Sequence, residues 1–378
     1  MVGIYAHIPF CKSRCAYCDF YSTTREAEKE AYVRALCREM EARRDEANGE
    51  TVGTIYIGGG TPSVLSASQL ERIECGIREH YDVEENVEFT VEMNPDDSVH
   101  VLADITVNRV SLGIQTFDDG LLGLIRRRHN AARAVAAVKE LQDAGISNIS
   151  IDLIYGLPGQ TLQTWEHDLD VAFGLHVQHL SAYALSYEDG TPLTRWRQQG
   201  SVQEVPEEVQ VQMYERLCER ARAEGFEHYE ISNFARPGFH SRHNNIYWMG
   251  GPYMGFGPGA HSYDGCFLRR ANHQDLTGYL EAMNHHNVKD QKWFTEETLS
   301  VIEQFNEAVM CGLRTCSGVD VEHIGERFGQ VRQADLIRMA APHLEAGRLV
   351  LQDGHLLLTS HALMTSDDVM SDLMMLGN

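Results

Sequence analysis

The sequence predicts an α/β protein: a partial (β/α)6 TIM-like barrel followed by a small C-terminal α+β module of winged-helix type. Three observations carry this expectation. Over roughly the first 280 residues, six short apolar runs alternate with stretches of helical period. The cysteine-bearing, glycine-rich and acidic segments each fall just after one of those runs, at the rim where a barrel gathers its reacting groups. From about residue 290 the alternation gives way to helices and a hairpin.

The expected strands are 3–7, 54–57, 88–92, 109–114, 149–155 and 179–185. Between them, residues 26–46, 66–81, 131–144 and 164–175 place apolar side chains at three- and four-residue intervals, the stripe of an amphipathic helix. In the C-terminal part, 296–312, 319–328 and 331–346 read as helices, and 348–359 as a hairpin about Asp353-Gly354. The resulting organisation is a barrel over 1–285 and a winged-helix-like module over 290–378. A length of 378 residues fits this division, because a single core rarely serves so long a chain.

Composition removes several classes of function. With 43% hydrophobic residues and no low-complexity run, the chain has ample material for a core. No apolar stretch approaches the ~20 residues that cross a bilayer. The N-terminus lacks the basic start and small-residue cleavage site of a secretory signal, so a cytoplasmic location is expected. Lys and Arg number 32 against 55 Asp and Glu, a net charge of −23 that repels phosphate backbones and anionic head groups. Nucleic acid is therefore not an expected partner, although Arg126-Arg127-Arg128 is a local basic run. A winged helix often reads DNA, but 331–346 sets Arg332 and Arg338 against Asp335 and Glu345.

The strongest local signal is Cys11-Lys-Ser-Arg-Cys15-Ala-Tyr-Cys18, a C-x3-C-x2-C loop directly after the first strand. Three thiolates so close together can wrap one metal centre. On a [4Fe-4S] cluster they leave one iron open to an outside ligand. The alternative is a zinc knuckle, which needs a fourth protein ligand; His7 stands nearby, with Pro9 intervening. The remaining cysteines, Cys37, Cys75, Cys218, Cys266, Cys311 and Cys316, are scattered and read as core or incidental thiols.

Further motifs follow in order: Tyr5-x-His7-Ile-Pro-Phe-Cys11, Gly58-Gly-Gly-Thr-Pro-Ser63, Val91-Glu-Met-Asn-Pro95, Ser111-Leu-Gly-Ile-Gln115, Arg127-x-His129 and Asp152-Leu-Ile-Tyr-Gly-Leu-Pro-Gly-Gln-Thr161. Together with the cysteines, this ordered set resembles the radical S-adenosylmethionine (SAM) superfamily, and within it the coproporphyrinogen-oxidase-like branch. The resemblance runs from residue 4 into the C-terminal module. It implies that Cys11, Cys15 and Cys18 hold a [4Fe-4S] cluster whose open iron is chelated by SAM. Gly58, Gly59 and Gly60, after strand two, would bring bare backbone against the amino-acid end of SAM, with Thr61 beside them in the implied set; a tight turn needing positive φ is the other reading. Glu92 and Asp152 would accept hydrogen bonds from the ribose, or else be solvated rim carboxylates. Gln115 and Arg127 would hold the polar ends of SAM, with a solvated basic helix face as the alternative for Arg127. Tyr17 would pack on adenine or simply fill its loop, and Tyr5 completes the implied set.

Within that branch the chain resembles the haem-chaperone group more than the oxidases. The oxidases carry a further Cys two residues after the third ligand, where this chain has Phe20, and a long N-terminal arm, where this cluster motif begins at residue 11. His243-Asn-Asn-Ile-Tyr-Trp248 matches the H-N-x-x-Y-W motif of the haem-chaperone group. The resemblance makes His243 the candidate axial ligand of haem, with Tyr247 and Trp248 covering the porphyrin. A hydrogen-bonded or surface role remains open for one histidine among 18. Gly255-Phe-Gly-Pro-Gly-Ala-His261 reads as a glycine-rich loop closing the barrel, with His261 structural. The expected cofactors are the cluster, SAM and haem. The expected partners are haem and client haemoproteins, membrane-associated respiratory enzymes among them, and a homodimer is compatible with this reading. No residue is assigned as catalytic, and coproporphyrinogen oxidase activity is not expected. The rivals are that oxidase activity and a nucleic-acid-modifying radical reaction.

Overall fold

The computed structural model describes residues 1–285 and 292–376. The expected junction between modules, 286–289, and the start of the second module at 290 lie outside the described residues.

The six expected strands form as β1 (Val2–Ile8), β2 (Val52–Gly59), β3 (Val83–Met93), β4 (Arg109–Gln115), β5 (Asn148–Tyr155) and β6 (His179–Ala184), each parallel to the next. The helices between them are α1 (Lys29–Ala42), α2 (Ala67–His80), α3 (Asp119–Leu124), α4 (Ala131–Asp143) and α5 (Leu162–Gly174). Their starts are locally encoded. Ser66 with Gln69 and Thr161 with Thr164 form reciprocal capping boxes that satisfy the free N–H groups of the first turns of α2 and α5.

Period-two alternation gives the sheet two unlike faces. Ile4, Ala6, Ile8, Ile55, Ile57, Phe89, Val91, Ile151 and Leu153 are completely buried in the helix-side core. Each such large side chain contributes roughly 1.5–3 kcal/mol by leaving water. The opposite phase reads Thr54, Tyr56, Glu88, Thr90, Glu92, Arg109, Ser111, Ser150, Asp152, His179 and Ser181. This inner face is therefore polar where a packed barrel is usually aliphatic.

The sheet is longer than the expected six strands. After α6 (Pro192–Gln198) and α7 (Glu207–Ala223), β7 (Glu227–Glu230) and β8 (Asn233–Ala235) extend the β6 edge antiparallel. After α8 (Arg242–Trp248), β9 (Tyr253–Phe256) joins β1 parallel, and β10 (His261–Tyr263) and β11 (Leu268–Asn272) continue that edge. Following α9 (Leu276–Asn284), β12 (Phe294–Thr298) completes a sheet ordered β12-β11-β10-β9-β1-β2-β3-β4-β5-β6-β8-β7. Two expectations are corrected here. The glycine-rich segment from Gly255 begins inside a strand, and a Cβ on Gly255 would stand 2.1 Å from the His261 carbonyl oxygen, so close strand packing decides its glycine. Residues 296–298 are strand rather than helix, because β12 pairs with β11 from Phe294 to Thr298. The main sheet thus runs past residue 290.

A buried ion pair ties this extension to α1. Glu39 accepts from Arg43 Nη1 (2.8 Å), Gly257 N (2.8 Å), Tyr279 Oη (2.6 Å) and Asn272 Nδ2 (3.1 Å). Arg43 also donates to the Gly255 carbonyl (2.7 Å). A buried charge is tolerated only with such a full partner set.

The C-terminal module comprises α10 (Val301–Leu313), β13 (Val319–Asp320), α11 (Val321–Phe328), α12 (Gln330–Glu345), β14 (Leu349–Gln352), β15 (His355–Leu358) and α13 (Ser366–Asp372). The hairpin turns at Asp353 and Gly354, both with positive φ, as the sequence predicts. Phe305, Val309, Leu313, Ile324, Phe328, Leu336 and Leu356 build a hydrophobic core separate from that of the barrel. Among the described residues no helix is long and apolar enough to cross a membrane.

Candidate cluster and SAM site

The first strand and its loop position the cysteines. Burial drives the His7 pKa down to about 4, so the ring is neutral and donates from Nε2 to the Tyr21 carbonyl (2.9 Å), leaving Nδ1 to accept from Tyr5 Oη (3.0 Å). Cys11 N donates to the Thr23 carbonyl (2.9 Å) and Ala16 N to the Ile125 carbonyl (3.0 Å), which staples the loop at both ends.

Cys11, Cys15 and Cys18 line one cavity of about 430 Å³, together with Tyr17, Gly59, Gly60, Thr61, Glu92, Gln115, Arg127 and Asp152. The fold thus brings eleven expected residues, drawn from positions 11 to 152, into one place. Tyr5 is not among its walls; the structure assigns it to the His7 network instead.

The glycines separate the two readings left open by the sequence. Gly59 has φ +109°, a backbone conformation L side chains rarely adopt, and a Cβ there would meet the His7 ring at 2.6 Å. Gly60 has no such φ; a Cβ there would stand 2.8 Å from the Phe10 carbonyl and 3.0 Å from Cys11 Sγ. Gly60 is needed for close approach beside the thiol, and Gly59 for both reasons. Gln115 reaches its place through a strained residue, φ +75°, at a bulge where β4 loses register with β5.

The acidic residues behave differently from one another. Glu92 accepts from Tyr56 Oη (2.8 Å) and Gly59 N (3.0 Å), so it latches the glycine loop to the strand ends. Burial, with Asp152 nearby, pushes its pKa up to about 7. Asp152 accepts from Ser111 Oγ (3.2 Å), and burial raises its pKa. Carboxylate oxygens accept more than one hydrogen bond, so both retain capacity towards a ribose. Arg127 donates to Cys15 Sγ (3.3 Å) and Asn94 Oδ1 (2.6 Å), and its buried Nε has no partner. It is therefore neither a solvated helix-face residue nor free of the cluster loop.

The quoted motifs contain Asn94, Ser111 and Asn244 without giving them a role, and sequence reasoning left out Tyr56, Arg109 and Ser181; all six line this cavity. Arg109 is 2% exposed, and its charge offsets part of the rise that burial imposes on the Glu92 and Asp152 carboxyl groups. The available signal was an arginine opening an otherwise apolar strand, with serines in the inward phase.

His243 is bonded within the protein. It is 1% exposed, Nδ1 bonds Thr54 Oγ1 (2.8 Å) and Nε2 bonds Tyr247 Oη (2.8 Å), while its backbone N–H donates to Glu88 Oε1 (2.9 Å). Burial holds its pKa at about 3, so the ring is neutral. Both ring nitrogens are engaged inside the protein. The reading of a satisfied core histidine is the one this geometry matches.

The cluster-forming residues fit the group their pattern implies. The three thiols, the bare Gly60 wall and the unpartnered Arg127 Nε share one cavity. Burial raises the thiol pKa of Cys11, and that of Cys18 to about 11, so both lose a proton when they bind iron.

A parallel α/β sheet with three cysteines at the end of its first strand and a glycine loop after its second defines a radical SAM protein, and residues 5–172 match the model of the radical SAM superfamily. Residues 299–365 match the HemN C-terminal domain. The chain is 41% identical over 329 residues to "Heme chaperone HemW" of Lactococcus lactis subsp. lactis, covering 86% of this chain and 84% of that one. It is 36% identical to "Heme chaperone HemW" of Bacillus subtilis, covering 87% and 88%. "Radical S-adenosyl methionine domain-containing protein 1, mitochondrial" of Bos taurus is 31% identical, covering 95% and 82%. The chain belongs to the HemW family. Coproporphyrinogen III oxidase (HemN) from Escherichia coli shares its fold, with a TM-score of 0.83 over 98% of this chain and 89% of that one at 21% identity. Membership of the radical SAM superfamily carries a [4Fe-4S] cluster and SAM as the cofactors.

Proposed function

We propose that this protein is a haem chaperone of the cytoplasm that binds haem, a [4Fe-4S] cluster and SAM, and passes haem to haemoproteins, including membrane-associated respiratory enzymes. The proposal includes two units, a barrel over 1–285 that holds the cluster and SAM, and a winged-helix-like module over 290–378. The observation that carries it is the extended identity to relatives named as haem chaperones. Phe20 supports it: the side chain two residues beyond Cys18 is 64% exposed at the cavity mouth and offers no thiol.

In this reading Cys11, Cys15 and Cys18 hold the cluster, and Arg127 neutralises thiolate charge at Cys15. Glu92 fixes the glycine loop and, with Asp152, accepts from the ribose hydroxyls. Gln115 and Asn94 face the polar end of SAM. The cluster, when bound, supplies an open iron and an electron. His243 positions α8 through Thr54 and Tyr247.

The test is anaerobic reconstitution with coproporphyrinogen III, SAM and a reductant, scored for decarboxylated product and for haem retained through gel filtration. Retained haem with no product is expected. Catalytic decarboxylation would replace this reading with the oxidase.

A further inference from the structure

The turn that follows β3, Asn94-Pro95-Asp96-Asp97, ends on a buried carboxylate that is not itself a wall of the cluster cavity. The Asp97 side chain is 1% exposed. It accepts from Lys12 Nζ at 2.6 Å and from Ser63 Oγ at 2.7 Å, and Arg128 Nη2 stands 3.7 Å away, nearer to Asp96 at 2.7 Å. Lys12 belongs to the cysteine loop, Ser63 to the turn Pro62–Val64 after the glycines, and Arg128 to the run beyond α3. One carboxylate therefore ties together three segments that border the cluster cavity.

The same turn reaches two of the three thiols. Asp97 N donates to the Asn94 carbonyl at 3.0 Å, which closes the turn that carries the Asn94 amide. Asn94 Nδ2 donates to Thr61 Oγ1 at 3.1 Å, and that hydroxyl donates on to Cys11 Sγ at 3.6 Å. Asn94 Oδ1 accepts from Arg127 Nη2 at 2.6 Å, and Arg127 Nη1 donates to Cys15 Sγ at 3.3 Å.

Proton count sets the direction of these bonds. A hydroxyl has one proton and an ionised carboxylate only accepts, so Ser63 gives its proton to Asp97 and keeps a lone pair for the Asn94 N–H at 3.4 Å. An amide at position 97 would turn one acceptor into a donor facing Lys12 or Ser63, and would carry no charge to hold Lys12. Stability does not explain the arrangement. Desolvating a carboxylate is costly, and a lysine 40% exposed to water returns that cost only in part.

We propose that Asp97 is a positioning residue for the cluster. Through Lys12 it fixes the loop that carries Cys11 and Cys15, through Ser63 and Asn94 it fixes the partners of their sulfurs, and it cancels the Lys12 charge beside the cluster. The inference rests on the assignment of Cys11, Cys15 and Cys18 to a [4Fe-4S] centre and is independent of haem. A positive charge near such a centre favours its reduced, more negative state, and a negative charge opposes it.

The test uses the full chain with its cluster reconstituted anaerobically, as wild type, Asp97→Asn, Lys12→Gln and the two substitutions combined. Midpoint potentials are read by EPR-monitored redox titration, and cluster retention by the rate of iron loss to a chelator. Asp97→Asn should raise the potential, because Lys12 and Arg128 lose their countercharge, and Lys12→Gln should lower it. The double variant should return towards wild type, and Asp97→Asn should lose iron several-fold faster. Opposite shifts mark charges acting on the cluster, whereas a loosened fold would move both variants the same way. Unchanged potentials, shifts of one sign, or iron loss from Asp97→Asn at the wild-type rate overturn the proposal. If Asp97→Asn fails to fold, Lys12→Gln decides: a lowered potential supports the proposal and an unchanged one overturns it. Wild-type protein that takes up no cluster sinks the cluster assignment itself, a distinct result.

Discussion

The cluster cavity and a second cavity, the cleft between α8 and the C-terminal module, are built in opposite ways. The strand-borne walls of the cluster cavity, β2 to β6, belong to one continuous sheet, and the cavity's polar side chains bond one another: Tyr56 to Glu92, Ser111 to Asp152, Arg127 to Asn94 and Cys15. The cleft joins elements from the barrel and from a separately cored module, residues 229 to 327, and keeps Trp248 Nε1 unsatisfied. A site that must hold a reactive cluster benefits from a rigid, pre-bonded frame.

The largest test of this contrast is Cys15→Ala. Protein purified anaerobically should fall from about four irons per chain to near none by iron analysis. Retention of the full cluster would remove the assignment of the rigid site. Next comes its electrostatic floor. Arg109→Met leaves Glu92 and Asp152 without their buried countercharge, and denaturant unfolding should register a loss of about 3–5 kcal/mol. Arg327→Met at the cleft should cost far less in apoprotein stability; equal losses would abolish the distinction.

A smaller effect is expected at the ribose position. Glu92→Ala should weaken SAM binding by about 1–3 kcal/mol in calorimetry while the iron content holds. Unchanged affinity would leave Glu92 only its latch on the Gly59 amide. The subtlest effect is on pH. Burial raises the Glu92 pKa to about 7, so the folded state holds a proton that the unfolded chain releases near the ordinary carboxyl value. Its contribution to stability is therefore full at acidic pH and lost as pH rises through about 7. Between pH 5 and 8, Glu92→Gln apoprotein should show a shallower fall in unfolding free energy than wild type; a parallel profile would argue against the raised pKa.

The two sites also differ in how far they could be read in advance. Cys11, Cys15, Cys18, Gly59, Gly60 and Thr61 stand next to strands whose period-two pattern places them at one rim, so local order along the chain already groups them. Tyr56, Ser111 and Ser181 were readable only in part, as the inward phase of strands whose outward phase supplies the core. The partners of Tyr5 and His243 were not readable, because a motif fixes residue type and neighbourhood, while hydrogen-bond partners such as His7, Thr54 and Tyr247 come from the packed structure. Of the cleft, the sequence marked only Tyr247 and Trp248, through their motif, and Cys316 read as incidental.

The sequence by itself determined the parallel barrel strands, the capped helices, the helical module with its Asp353-Gly354 turn, and the three-cysteine loop, because each depends on periodicity, turn chemistry or spacing within a short window. Only the tertiary structure decided that the sheet extends to β12, that Arg109 shares a buried cavity with two carboxylates, that His243 is buried, and that α8 and α10 line a cavity. Those features depend on pairings between residues tens to hundreds of positions apart, where small differences in packing and buried polar satisfaction select one partner among many.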